Sequence, residues 1–163
     1  MKFRKATPDD AKAILTLTHT AFLRYAQEVG KAVKGTTETI DDVIDDIEEK
    51  YVLVCEDEKG DIQGCVRCEK IENTMYISRL AAAKHSTVPN VGALLMDRVK
   101  ELFDVDALLL HTSAKIRNLV MFYYNLDFHI VEIDSSRGYP RALFVCPLTN
   151  NKDYDPIALA QGR

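Results

Sequence analysis

The chain has no run of apolar residues long enough to cross a bilayer, which takes about twenty in a row. Its opening, MKFRKATPDD, lacks the apolar centre of a secretory signal, so a cytoplasmic protein is expected. An excess of positive charge is missing too. The 21 Lys and Arg stand against 25 Asp and Glu, a formal charge of -4. That balance disfavours a basic nucleic-acid surface, and neither a nucleic-acid nor a membrane partner is expected. Cysteine is sparse: Cys55, Cys65, Cys68 and Cys146. The Cys65-x-x-Cys68 spacing is used by redox and zinc sites, but no second pair completes a four-thiolate set. Within QGCVRCEK the two would face opposite sides of a strand. Ordinary reduced strand cysteines are the expectation. His19, His85, His111 and His129 are not spaced as a metal cluster, and no metal is expected. A glycine-rich lysine loop and a glycine triplet are both absent, which argues against a P-loop or dinucleotide-binding protein.

What is present suits one domain over residues 1–163, with 150–163 as a loosely packed tail. The 163 residues, 47% of them hydrophobic and 28% charged, can build a sizeable core. Residues Phe3 to Ala6 suggest a first strand. Thr7-Pro8-Asp9-Asp10 is a helix start with an N-cap, a proline at the first turn and an acid at the capping-box position. The helix carries Ile14, Leu17, Ala21, Phe22 and Tyr25 on roughly one side and stops near Gly30. After a loop at Gly35-Thr36-Thr37, a second helix is expected from Glu38 to Lys50. Ile40, Val43, Ile44 and Ile47 form its apolar stripe. Asp41, Asp42, Asp45, Asp46, Glu48 and Glu49 form a solvated face, or a rim that attracts a cationic acceptor. Tyr51–Cys55, Ile62–Glu69 and Thr74–Ala82 then read as an antiparallel meander.

The stretch from Leu80 to Phe103 organises the rest. Val91, Leu94, Leu95, Val99 and Leu102 recur at helical spacing behind the small-residue loop Ser86-Thr87-Val88-Pro89-Asn90. Such a junction aims backbone amides out of a helix N-terminus, where they can hold a phosphate. The run Ala107-Leu108-Leu109-Leu110 suits a strand buried on both faces, as in a parallel pair reached by a crossover. A helix over Asn118–Asn125 and strands over Phe128–Ile133 and Arg141–Leu148 complete an α/β (α+β) mixed sheet, mostly antiparallel and flanked by helices.

At this point the chain resembles the GCN5-related N-acetyltransferase superfamily, from Phe3 to Leu148. Leu80, Ala81 and Ala82 match the family's strand end. Thr87 falls on its glutamine or arginine, Asn90 on its first glycine, Gly92 on its second, and Leu95 on its buried leucine. In the second segment, Asn118, Phe122-Tyr123 and Leu126-Asp127-Phe128 match the family's asparagine, its phenylalanine-tyrosine pair and its leucine-glycine-phenylalanine. Asp127 stands where glycine is usual, and Met121 where alanine is common.

The resemblance implies an acetyl-coenzyme A (acetyl-CoA) cofactor and an N-acetyltransferase activity. The cofactor would lie on Leu80, Ala81, Ala82, Thr87, Val88, Asn90, Val91, Gly92, Ala93, Asn118, Phe122 and Tyr123. The amides from Val88 to Gly92 would grip its pyrophosphate, helped by the helix end. Pro89 has no amide to give, and Asn90 is the best substitute for glycine if the position needs positive φ. Lys84 or Arg98 could add positive charge. In the family, the strand ending at Leu80–Ala82 splays from the one at Leu108–His111 to admit the pantetheine arm. Tyr123 matches the family's acid for the leaving thiolate, with an ordinary half-buried tyrosine as the alternative; Tyr124 should face another side. Asn118 contacts the cofactor or simply caps its helix. Glu69, ahead of Glu72, is the candidate base, and Ser78 would face the reaction centre with Arg79 pointing away. His111 could shuttle a proton or pack at its strand end. Phe22, Tyr25, Glu28 and Tyr139 are candidates for the acceptor pocket. The acceptor itself is an amine on a small molecule or a protein, and homodimers are frequent in this family. The competing reading is a non-catalytic acyl-CoA binder or scaffold on the same fold.

Overall fold

The computed structural model describes all 163 residues. In chain order the elements are β1 (Lys2–Lys5), a 3-10 turn (Pro8–Asp10), α1 (Ala11–Val29), α2 (Lys34–Thr37), α3 (Ile40–Glu49), β2 (Tyr51–Glu56), β3 (Ile62–Ile71) and β4 (Thr74–Ala82). They continue with α4 (Val91–Leu102), β5 (Ala107–Ser113), α5 (Arg117–Tyr124), β6 (His129–Asp134), β7 (Arg141–Pro147) and α6 (Pro156–Leu159). The strands follow the order β1-β2-β3-β4-β5-β7-β6. β4 and β5 pair in parallel, while β1–β2, β2–β3, β5–β7 and β6–β7 are antiparallel. This is the mixed, mostly antiparallel sheet flanked by helices that the sequence led us to expect. No helix is long and apolar enough to cross a membrane.

The chain divides into two compact units: Met1–Glu69 with Ser78–Val99, and Lys70–Ile77 with Lys100–Arg163. In the first, period-two alternation along β3 assigns neighbours to opposite faces. Cys65 joins Ile14 of α1, Val43 and Ile47 of α3, and Val52 and Val54 of β2 in one buried cluster. Burying each such aliphatic side chain contributes about 1.5–3 kcal/mol. The preceding residue, Gly64, meets the other cover, α4. A Cβ built there would lie 2.9 Å from Leu95 Cδ1, 2.9 Å from Val91 Cγ2 and 3.2 Å from the Ala81 carbonyl. The helix therefore rests on bare backbone. Gly64→Ala is expected to cost about 1–3 kcal/mol, as overpacked cores do. Chemical denaturation measures that cost; a neutral result would mean that α4 slides freely on β3.

The helix ends follow local chemistry. Thr7 and Asp10 form a capping box, and Asp10 also takes both Arg4 Nη atoms at 2.7 and 2.9 Å. Gly30 closes α1 at φ +79, where a side chain would be strained. Three expectations are corrected in this region. The loop at residues 35–37 is the short helix α2, packed so closely that a Cβ on Gly35 would sit 2.4 Å from Phe22 Cγ. The next helix starts at Ile40 behind the Thr39–Asp42 capping box, which leaves Glu38 outside it. Ile40 is exposed rather than part of the buried stripe, because it falls on the first turn, before Val43 and Ile47 reach the sheet.

In the second unit, Leu109, Leu143 and Val145 pack with Tyr76 and Ala160. Residues Ala107–Leu110 are all buried, as a strand covered on both faces must be. The residues 150–163, expected as a loose tail, hold α6 and bring Ala160 to 2% exposure. Asp155 caps α6 by accepting from the Ile157 and Ala158 amides, and Arg137 donates to the Arg163 carbonyl at 2.8 Å.

Candidate functional site

In the first unit, β4 runs into the loop ahead of α4, and that loop is tied down from behind. The Ala83 amide donates to the Gln63 carbonyl at 2.8 Å, and the Thr87 amide to Gln63 Oε1 at 3.1 Å. The Thr87 hydroxyl donates to Asp57 Oδ2 at 3.0 Å. The Val88 amide is taken by Ser86 Oγ at 3.0 Å. These bonds narrow the set of amides read from the sequence: Val88 is committed locally, Pro89 has none, and Asn90, Val91 and Gly92 remain. Asn90 holds φ +55, and its carbonyl accepts the first helical bond, from Leu94, at 3.0 Å. The amides of Val91, Gly92 and Ala93 open α4, where a helix supplies no acceptor of its own. Ala81 is buried, Leu80 half-buried and Ala82 exposed at the strand end.

The positive φ at Asn90 has a counterpart in the second unit. Asp127 holds φ +70, with Lys100 Nζ donating to the neighbouring Leu126 carbonyl at 2.6 Å. Both positions are those where the resembling family has glycine. Asn and Asp are the side chains that tolerate the left-handed region best. The two departures in letters therefore preserve the backbone that glycine would give.

Behind the loop lies a cavity of about 470 Å3, lined among others by Asp57, Glu58, Lys59, Thr87 and Pro89. Asp57 also accepts from the Lys59 and Asp61 amides at 2.9 and 3.0 Å. Desolvation pushes its carboxyl upward, but these amides and the Thr87 hydroxyl outweigh that and hold it below its ordinary 3.8. Its lining sets the Asp57 and Glu58 carboxylates against Lys59 and Met1, so it offers a diphosphate no excess of positive charge. The α4 amides suit a diphosphate better.

The acceptor candidates of the same unit fall into two kinds. The Phe22 and Tyr25 rings meet at a tilt with centroids 5.8 Å apart, whereas Glu28 is exposed near the end of α1. Glu69 and Ser78 are both half-buried. Simple alternation does not carry from Ser78 to Arg79, because Arg79 takes φ +53 within β4. Its guanidinium lies 5.8 Å from the Phe22 ring centroid, and its Nε 3.5 Å from Glu38 Oε2.

That contact belongs to a cluster absent from the sequence reading. Arg67 is 1% exposed and grips Glu38 with both Nη atoms, at 2.8 and 2.6 Å. Its Nη1 also reaches Asp46 Oδ2 at 2.8 Å, and Lys50 meets Asp46 Oδ1 at 3.0 Å. Asp46, assigned to a solvated face, is thus an internal counterion. The signal that could have shown this was Arg67 itself, a charge in the middle of the apolar strand QGCVRC.

In the second unit, Ile116 stands at the N-cap position of α5 without a side-chain hydrogen bond, so Asn118 is an exposed first-turn residue and not the cap. Phe122 and Tyr123 are in edge contact, and Tyr123 is 7% exposed with Phe128 at 5.6 Å and Phe144 at 5.5 Å. Burial pushes its phenol above the ordinary 10.0, so it keeps its proton at neutral pH. Tyr124 is half exposed and meets Phe144 edge-on with centroids 6.4 Å apart. Tyr139 is 8% exposed. All four cysteines are free and buried, and burial lifts Cys65 to about 11 and Cys68 to about 12, which keeps both as thiols.

His111 shares a hydrogen bond of 2.6 Å between its Nδ1 and the Tyr76 hydroxyl. Burial lowers its pKa from 6.5 to about 4, helped by Arg141 and Arg137. The folded chain thus binds fewer protons than the unfolded chain between these values. Stability is then full above pH 6.5 and falls as pH drops toward 4. Urea midpoints across this window should show that decline, and His111→Gln should flatten it; an unchanged slope would place the titration elsewhere.

No protein-family model matches the sequence, and no curated protein does. Solved structures do match. The PaiA N-acetyltransferase of Thermoplasma acidophilum, in complex with coenzyme A, superposes with a TM-score of 0.77 at 13% identity, over 90% of this chain and 98% of that one. YncA, a putative acetyltransferase of Salmonella typhimurium with its cofactor acetyl-CoA, gives 0.74 at 16% identity, over 95% and 98%. An acetyltransferase of the GNAT family from Staphylococcus aureus Mu50 gives 0.72 at 12% identity, over 91% and 99%. At these identities the likeness is one of architecture, and the chain has the fold of the GNAT acetyltransferases.

Proposed function

We propose that the chain transfers an acyl group, acetyl in the first instance, from coenzyme A to an amine. The observation that carries this reading is the opening of α4. A strand ends in small residues, a left-handed Asn90 turns the backbone, and the following amides of Val91 and Gly92 are free to donate. Two structures of the same fold hold coenzyme A or acetyl-CoA, which supports the same class of donor here.

In this reading the amides of Asn90, Val91 and Gly92 take the diphosphate, and Ala81 and Ala82 let the pantetheine arm approach closely. The neutral amine attacks the thioester carbonyl, forming the C–N bond as the C–S bond breaks. Tyr123 gives its proton to the departing thiolate. The amine's own proton leaves to Glu69 or through water. Binding is tested by calorimetry with coenzyme A, and turnover by release of free thiol with an amine panel. Gly92→Asp, which sets a carboxylate among the donor amides, should abolish binding without loss of helix content. Binding that survives this change would remove the assigned cradle.

A second reading has its own support. Asp57 holds a negative charge beside Thr87, and Tyr123 is packed among aromatic rings. A non-catalytic acyl-CoA binder on the same fold needs neither a mobile Thr87 nor an accessible acid. Tight binding with no thiol release on any amine would favour it.

A further inference from the structure

In direct ion-pair contacts the charge cluster of the first unit does not balance. Arg67, Arg79 and Lys50 contact Glu38 and Asp46, while Asp42 acts on Arg67 from farther away. Glu38 is used by both Nη atoms of Arg67 at hydrogen-bond distance. Asp46 is shared between Arg67 and Lys50. Arg79 is left with one long contact, 3.5 Å from its Nε to Glu38, which is not a hydrogen bond. Its side chain is 22% exposed, so water hydrates it only in part. Desolvation lowers its pKa, against the pull of Glu38.

Three further features hold this guanidinium in a fixed pose. The backbone at Arg79 is left-handed, which is uncommon for a long side chain and persists only where the surroundings enforce it. The Phe22 ring lies under its planar group. Phe22 in turn packs against the bare backbone of Gly35, where a Cβ would lie 2.4 Å from its Cγ. A rigid, under-paired, partly exposed guanidinium is a receptor for a planar anion, and a carboxylate matches it with two parallel bonds.

We propose, resting on the acyl-transfer reading, that the acceptor carries a carboxylate as well as its amine, and that Arg79 binds that carboxylate over Phe22. The substrate class is then amino-acid-like, not a polyamine. The acidic residues of α3 do not oppose this, since Asp46, the one drawn into the cluster, is already neutralised by Arg67 and Lys50.

The test uses the full chain, acetyl-CoA and the common amino acids, each paired with its decarboxylated amine. The expected result is at least one amino acid that releases thiol about 10- to 100-fold faster than its partner amine. That preference should vanish in Arg79→Gln and return in part in Arg79→Lys. The preference should appear in KM more than in kcat, because the carboxylate positions the substrate and does not react. Equal rates on both members of every pair, or a preference that survives Arg79→Gln, would overturn the proposal while leaving acyl transfer standing. If no amine releases thiol at all, the acyl-transfer reading fails by itself. Calorimetry of the amino acids against the native chain and Arg79→Gln then still decides whether Arg79 holds a carboxylate; absent or unchanged binding overturns it.

Discussion

Replacing Glu38 with glutamine should destabilise the chain by about 3–5 kcal/mol, the cost of stranding a buried charge by removing its partner. Arg67 is 1% exposed and directs both Nη atoms at this carboxylate, while Arg79 has its closest carboxylate contact there. Removing the negative charge leaves two desolvated cations with Asp46 as the one carboxylate still in contact with Arg67, and Asp46 is already held by Lys50. For a chain of this length the loss corresponds to a fall in Tm of about 6–20 °C. The double variant Glu38→Gln, Arg67→Met should recover at least half, because it removes the stranded charge as well as its partner. Such recovery separates the penalty of an orphaned cation from the intrinsic worth of the pair. Urea denaturation of the single and double variants measures both. A loss below about 1 kcal/mol would mean that water reaches the cluster and screens it like a surface pair.

Replacing Tyr123 with phenylalanine should slow thiol release about 100-fold or more, within the range for losing a general acid, while coenzyme A binding stays as it was. The phenol lies among Phe122, Phe128 and Phe144, and that burial raises its pKa above 10.0. It therefore stays protonated across the working pH range, and no alkaline fall in rate below pH 10 should come from it. Phenylalanine fills the same volume in a setting of rings, so the unfolding midpoint should hold or rise. The combination of a lost rate with retained binding and stability is what distinguishes an acid from a packing residue. An undiminished rate in Tyr123→Phe would assign Tyr123 to the core alone.

Much of the architecture could be read from residue order because it rests on local rules. Thr7 and Asp10 mark a helix start, Gly30 a stop, and the turn at Asn73 opens a strand over Thr74–Ala82 with the observed bounds. The unbroken run at Ala107–Leu110 signals a strand covered on both faces. Errors fell where a distant element overrides local preference. Glu38 looks like the first residue of an acidic helix, but its carboxylate has a buried partner in β3 and the helix begins later, at Ile40. Residues 35–37 look like a loop, but they form a helical turn closed by the Glu38 amide on the Lys34 carbonyl, with Gly35 set against Phe22.

The same division runs through the candidate site. The amino-acid sequence by itself determined the seven strands and the four longer helices in chain order, the apolar stripe of α4 and the small residues at its mouth, since periodicity and turn chemistry are properties of neighbours in the chain. Only the tertiary structure decided which amides near Asn90 remain free, that Asn90 and Asp127 stand in for glycine through a left-handed backbone, and that Arg67 and Arg79 compete for one carboxylate. Those outcomes depend on pairings across 29 residues for Arg67 and Glu38 and 30 for Thr87 and Asp57. The free energy of a charge or an amide is set by what surrounds it in space, which no local window of sequence contains.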